Sequence, residues 1–99
     1  MKKVFFISVI FLSFALNAAN PIKLVVKDEN NEPIIGAVIE SVVEDNALFT
    51  DFVGEATINP QKEAVVYKIE SIGYETVYVR LSEDLHQDAV KVVLKPRGL

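Results

Sequence analysis

Apolar and polar residues alternate with period two along most of this chain. Ile22, Leu24 and Val26 alternate with Lys23 and Lys27, and Val65, Tyr67 and Ile69 alternate with Lys68 and Glu70. Val77, Val79 and Leu81 alternate with Thr76, Tyr78 and Arg80, and Val90, Val92 and Leu94 with Lys91 and Lys95. Successive side chains of a strand point to opposite faces, so each run offers one face to a core and one to water. β-Branched residues dominate these runs, as strands favour. The pattern predicts strands over Ile22–Lys27, Ala37–Glu44, Ala47–Thr50, Glu55–Ile58, Ala64–Ser71, Glu75–Leu81 and Ala89–Lys95. Ile69, Val79 and Val92 fall on three predicted inward faces. Polar turns separate the runs: Asp28 to Pro33, Asp51 to Gly54, Asn59 to Glu63, and Ser82 to Asp88. There is no sustained helical period; Ser82 to His86 suits one turn of helix. No internal repeat or low-complexity linker is evident. A lone sheet would leave its apolar face wet, so the expectation is an all-β, seven-stranded antiparallel sandwich.

The first nineteen residues read differently. Lys2 and Lys3 precede an apolar run from Val4 to Leu16, followed by Asn17-Ala18-Ala19-Asn20. Basic, then apolar, then small is the order of a secretory signal peptide, and the run is short for a membrane span. Residues 1–19 are thus expected to be cleaved and 20–99 to form one domain in the periplasm or at the cell surface. No membrane insertion is expected after cleavage. No Cys follows the run, which excludes lipid attachment at a mature N-terminal Cys.

Composition narrows the rest. With no Cys in the chain, neither disulfides nor a Cys-based zinc site stabilises so small a domain. Removing Lys2 and Lys3 leaves 14 acids against 8 bases, net −6. An acidic domain without a basic cluster argues against nucleic acid and anionic membrane surfaces as partners.

Four ordered segments carry a resemblance. Val26-Lys27-Asp28 followed by Glu32-Pro33-Ile34-Ile35-Gly36-Ala37-Val38-Ile39, then Thr50-Asp51-Phe52-Val53-Gly54, then Ser71-Ile72-Gly73-Tyr74-Glu75, then Val92-Val93-Leu94 resemble the carboxypeptidase-regulatory-like domains. The resemblance covers nearly all of residues 20–99. It implies a transthyretin-like (prealbumin-like) sandwich, an accessory role without catalytic residues, and family settings such as the N-terminus of TonB-dependent outer-membrane receptors. It marks Pro33, Gly36, Ala37, Thr50, Asp51, Gly54, Gly73 and Tyr74 as structural-motif positions. Ala56 stands where the family usually has a larger apolar residue.

Candidate chemistry is sparse. His86, the only His, has Asp84 and Asp88 nearby but no nucleophile, and reads as a solvent-exposed loop residue. Asp28, Glu29 and Glu32 with Asn30 and Asn31 offer oxygen ligands, but their spacing is not that of an EF-hand; a solvated hairpin turn fits them better. Asp51 reads as a turn residue accepting backbone N–H groups. Tyr74 reads as a corner-locking residue. Tyr67 belongs to the core face, whereas Tyr78 and Arg80 face water and form the candidate binding surface. Hydroxyisourate hydrolases share the fold, but they need several His and a terminal Tyr-Arg-Gly-Ser; this chain ends Lys95-Pro96-Arg97-Gly98-Leu99. The expectation is a non-catalytic, exported module without cofactor or metal, monomeric in isolation, that meets an envelope protein. An N-terminal fragment of a receptor and a carbohydrate-binding module are the alternatives.

Overall fold

Each strand has one apolar face to hide, and the chain hides these faces by packing two sheets together. The computed structural model describes residues 20–98; the expected signal peptide, 1–19, lies outside the described residues. The strands are β1 (Ile22–Lys27), β2 (Val38–Ser41), β3 (Ala47–Phe49), β4 (Glu55–Ile58), β5 (Val65–Glu70), β6 (Val77–Leu81) and β7 (Ala89–Val93), with a 3₁₀ turn at Glu83–Leu85. One sheet has the order β4-β1-β7 and the other β3-β2-β5-β6. The architecture is all-β and sandwich-like.

The core follows the alternation. Ile22, Leu24 and Val26 of β1 meet Ile39, Ile69, Tyr67, Leu81 and Val92 in one cluster, with Leu24, Ile39, Ile69 and Leu94 fully buried. Each such side chain contributes about 1.5–3 kcal/mol when removed from water. Ala56 packs at the margin of this cluster. Val79 departs from expectation: β6 is an edge strand, so its core-side Val77 and Val79 are only half-buried.

Two further expectations are corrected. The sandwich is not wholly antiparallel, because β1 and β7 pair in parallel, with Leu24 opposite Val90 and Val26 opposite Val92. The segment Ser82–Asp88 carries the chain from one sheet to the other at the end where β1 also starts, so both strands run the same way. Alternation fixes a strand's face and is blind to its direction. The expected strand Ala37–Glu44 shortens to Val38–Ser41. There the Ser41 hydroxyl oxygen accepts the Val43 N–H (3.2 Å) and turns the chain out of the sheet.

Truncating Ile69 to Ala is expected to cost about 2–5 kcal/mol, and Lys68→Ala, one position along and facing water, within about 0.5 kcal/mol. Urea unfolding of both variants is the check. A second expectation concerns pH. Burial, reinforced by the charge of Glu44, raises the Tyr67 hydroxyl above its ordinary 10.0. The unfolded chain then loses this proton before the folded one does, so stability falls as pH rises through 10. Lys68, raised by its hydrogen bond to Glu70 and by the charges of Glu70 and Glu40, acts in the same direction but is exposed. Tyr67→Phe is expected to lose less of its urea midpoint than wild type between about pH 9 and about pH 11.

Candidate interaction surface

The connections divide cleanly between two ends. At one end lie 28–37, 50–54, 71–76 and the tail 94–98; at the other lie 42–46, 59–64 and 82–88. All eight motif positions named from the sequence fall at the first end.

That end is built on one turn used twice. Asp28 Oδ1 accepts the N–H groups of Asn30 and Glu32, both at 2.9 Å. Asp51 Oδ1 accepts those of Val53 (3.0 Å) and Glu55 (2.9 Å). In each turn the Asp N–H donates to the carbonyl four residues on, and the fourth residue's N–H donates back to the Asp carbonyl. The fourth residue is left-handed in both, Asn31 at φ 65° and Gly54 at φ 77°. This is a three-residue hairpin loop closed by a left-handed residue. The repeated Asp-x-x-(Asn/Gly)-Glu is a short internal repeat in the sequence, where none was expected. Surroundings decide the fourth residue. Asn31 faces outward and its Oδ1 accepts from Lys91 Nζ at 2.9 Å. A Cβ at Gly54 would lie 2.6 Å from the Val26 carbonyl oxygen.

Thr50 ties the turns to the sheets. Its buried hydroxyl donates to the Ile34 carbonyl (2.6 Å) and accepts the Ala37 N–H (2.9 Å). Its own N–H donates to the Ala37 carbonyl, and its carbonyl accepts the Gly36 N–H, each at 3.0 Å. Val26 N–H reaches the Gly54 carbonyl at 2.8 Å, and the Ile34 N–H reaches the Val26 carbonyl at 3.0 Å. Pro33 pairs as an isolated bridge with Lys27. The segment crossing from one sheet to the other is thereby held through the N–H groups of Ile34, Gly36 and Ala37 and the carbonyls of Ile34 and Ala37. The tail completes the end. Arg97 N–H donates to the Gly73 carbonyl and Glu75 N–H to the Lys95 carbonyl, each at 2.8 Å. Tyr74 forms a bridge with Pro96 and packs against the core.

On this held framework apolar side chains stand in water. Ile72 is 100% exposed and Phe52 85%, and Ile35 and Val53 are also exposed. Ile35, Val38 and Ile72 line a cleft of about 650 Å³ bordered by Glu70 and Arg97. Glu70 is engaged by Lys68 at 3.0 Å, so the guanidinium of Arg97 supplies the cationic border.

The opposite end is acidic. Its loops carry Glu44, Asp45, Glu63, Glu83, Asp84 and Asp88 against Lys62 alone. His86 is exposed in the left-handed conformation, in a cleft of about 390 Å³ with Asn20, Glu83 and Asp88. Among the described residues no group of three or more His, Asp or Glu side chains converges as metal ligands would. Oδ1 of Asp28 accepts two backbone N–H groups, as a turn residue does. Tyr78 and Arg80 are not part of either end; they lie on the outer face of β6, exposed.

No protein-family model matches the chain, and no curated protein matches it. Among solved structures, the Bacillus anthracis TIE protein superposes with a TM-score of 0.59 at 16% identity, over 80% of this chain and 17% of that one. The chain thus spans about a sixth of that protein's length. The C-terminal domain of the PapC usher gives a TM-score of 0.49 at 16% identity, over 78% of this chain and 100% of that one. At such identity the TIE likeness shows the fold alone.

Thr50→Val keeps the shape of the side chain but strands the buried Ile34 carbonyl and Ala37 N–H. A loss of about 2–4 kcal/mol is expected by urea unfolding. Gly54→Ala is expected to be more damaging than Gly36→Ala. Both positions are left-handed, at φ 77° and φ 74°, but only Gly54 has no room for a Cβ.

Proposed function

We propose that this chain is an exported, non-catalytic module of the transthyretin-like, carboxypeptidase-regulatory-like kind, which works at the bacterial envelope by binding another protein through its motif end. One observation carries this reading. The Asp51 turn, the Thr50 bonds and the 71–74 turn tied to the tail hold Phe52, Ile35 and Ile72 out in water, beside a cleft bordered by Arg97. Exposed apolar groups gathered at one end mark interaction sites more often than chance surface. Because their backbone is already ordered, little further entropy is lost when a partner covers them. The polar side chains of the motif are spent on backbone N–H and C=O groups, which suits a platform.

The test combines export with position. In a host that exports the protein, mass spectrometry is expected to find a start at Ala19 or Asn20; recovery of intact Met1 in the envelope would reject cleavage. A photo-crosslinker placed at Ile72 or Phe52 is expected to capture a defined envelope protein, whereas one at exposed Thr57 on β4 is not. Equal capture at all three positions would overturn the reading. Oligosaccharide binding abolished by Tyr78→Ala would replace it with the carbohydrate-module reading.

A further inference from the structure

A second surface, separate from the motif end, is the free edge of β6. The sheet order leaves β3, β4, β6 and β7 as edges. Unpaired edge groups accept further strands unless the edge is blunted. β3 is only three residues long. β4 carries Glu55, paired with Lys23 at 3.4 Å. β7 has Lys91 at its centre, which self-pairing there would set against its own copy. β6, Val77-Tyr78-Val79-Arg80-Leu81, has no Pro and no inward-pointing charge.

The direction of its backbone groups follows from the ladder. The Val66 carbonyl accepts the Val42 N–H on the β2 side. Alternation therefore turns the N–H and C=O groups of Val65, Tyr67 and Ile69 toward β6. Their partners are Leu81, Val79 and Val77, so the N–H and C=O groups of Tyr78 and Arg80 point at the free edge. The open stretch is bounded on both sides. Glu75 N–H is taken by the Lys95 carbonyl, and the 3₁₀ turn begins at Glu83. The stretch between, Thr76–Ser82, has Val79 at its midpoint.

We propose that β6 pairs with β6 of a second copy of this chain, antiparallel, with Val79 facing Val79 across a two-fold axis. In this register Tyr78 lies opposite Arg80 of the other copy, and the reciprocal pair repeats it. These are the residues whose backbone groups point outward, so each pair exchanges two hydrogen bonds. On the outer face each guanidinium meets a tyrosine ring, a cation–π contact made twice. On the inner face half-buried Val77 lies opposite Leu81 and Val79 opposite itself, extending the core across the joint. The contact is isologous, so it closes as a dimer. Shifting the register by two residues one way sets Arg80 against Arg80, and the other way leaves both guanidinium groups without a ring. The proposed dimer stands against the monomer expected from the sequence. Face alternation revealed Tyr78 and Arg80 as exposed, but not that their strand ends the sheet.

The chain has no Cys, so cross-linking reads the register without background. In a non-hydrogen-bonded antiparallel pair the facing Cα atoms lie about 4.5 Å apart, within disulfide range. On mild oxidation the exported protein carrying Val79→Cys is expected to form a covalent dimer. Val77→Cys and Tyr78→Cys, which face residues 81 and 80 of the other copy, are expected to remain largely unlinked. Without oxidation, sedimentation velocity of the unsubstituted protein is expected to show a concentration-dependent dimer. Arg80→Ala loses both cation–π contacts and is expected to weaken it about tenfold. Tyr78→Pro removes an outward N–H and is expected to abolish the dimer while keeping wild-type circular dichroism. A monomer at every concentration, or equal cross-linking at 77, 78 and 79, would overturn the proposal.

Discussion

The hydroxyl of Thr50 is the interaction on which the rest of this fold depends. It lies where the chain leaves the three-stranded sheet for the four-stranded one, between the Ile34 carbonyl and the Ala37 N–H. An inter-sheet crossing cannot use a strand ladder, and backbone groups left unpaired at its buried residues, Ile34 and Ala37, are costly. Thr50 supplies a donor and an acceptor from one atom. Its own N–H and C=O then pair with Ala37 and Gly36, so β3 and the crossing are locked to one another. With that lock in place, Val26 can take Gly54 and Ile34 as neighbours, and the two Asp turns are brought side by side.

The consequence is a sandwich with unlike ends. One end gathers Glu44, Asp45, Glu63, Glu83, Asp84 and Asp88 in its connections, which are joined by bonds such as Gln61 Nε2 to Glu44 Oε1 at 3.0 Å. The other is tied down by backbone bonds and displays Ile72, Phe52 and Ile35. Negative charge around the acidic end discourages indiscriminate association there, which favours the motif end and the β6 edge as the proposed binding surfaces. Stability and the proposed binding draw on one residue in particular: Asp51 orders the turn that carries Phe52 and Val53.

Much of this was legible in the sequence, in particular places. Alternation put Ile22, Leu24, Val26, Val65, Tyr67, Ile69, Val92 and Leu94 inside, and they are buried. Asp51 read as a turn residue, and it accepts the Val53 and Glu55 N–H groups. Direction and neighbourhood were not legible. The parallel pairing of β1 with β7 and the edge position of β6 depend on where connections cross, which period two does not encode. Thr50 was singled out by a motif, whereas its hydroxyl's two partners, thirteen and sixteen residues away, emerge only from the folded chain. The exposed tips were missed for a related reason: Ile35 and Ile72 sit in turns, where an apolar residue looks the same in sequence whether it faces the core or the solvent.

Amide hydrogen exchange measured residue by residue tests most directly whether Thr50 locks the crossing into a rigid platform. The Ala37 N–H, bonded to the Thr50 hydroxyl, and the Ile34 N–H, bonded to the Val26 carbonyl, lie outside the regular ladders. They are nonetheless expected to exchange as slowly as the fully buried Ile69 of β5, opening only with global unfolding. Thr50→Val is expected to bring Ala37 exchange forward ahead of the core. Fast exchange of Ala37 and Ile34 in the wild-type protein, while Ile69 stays protected, would show that the crossing opens on its own and that the motif end is not held as described.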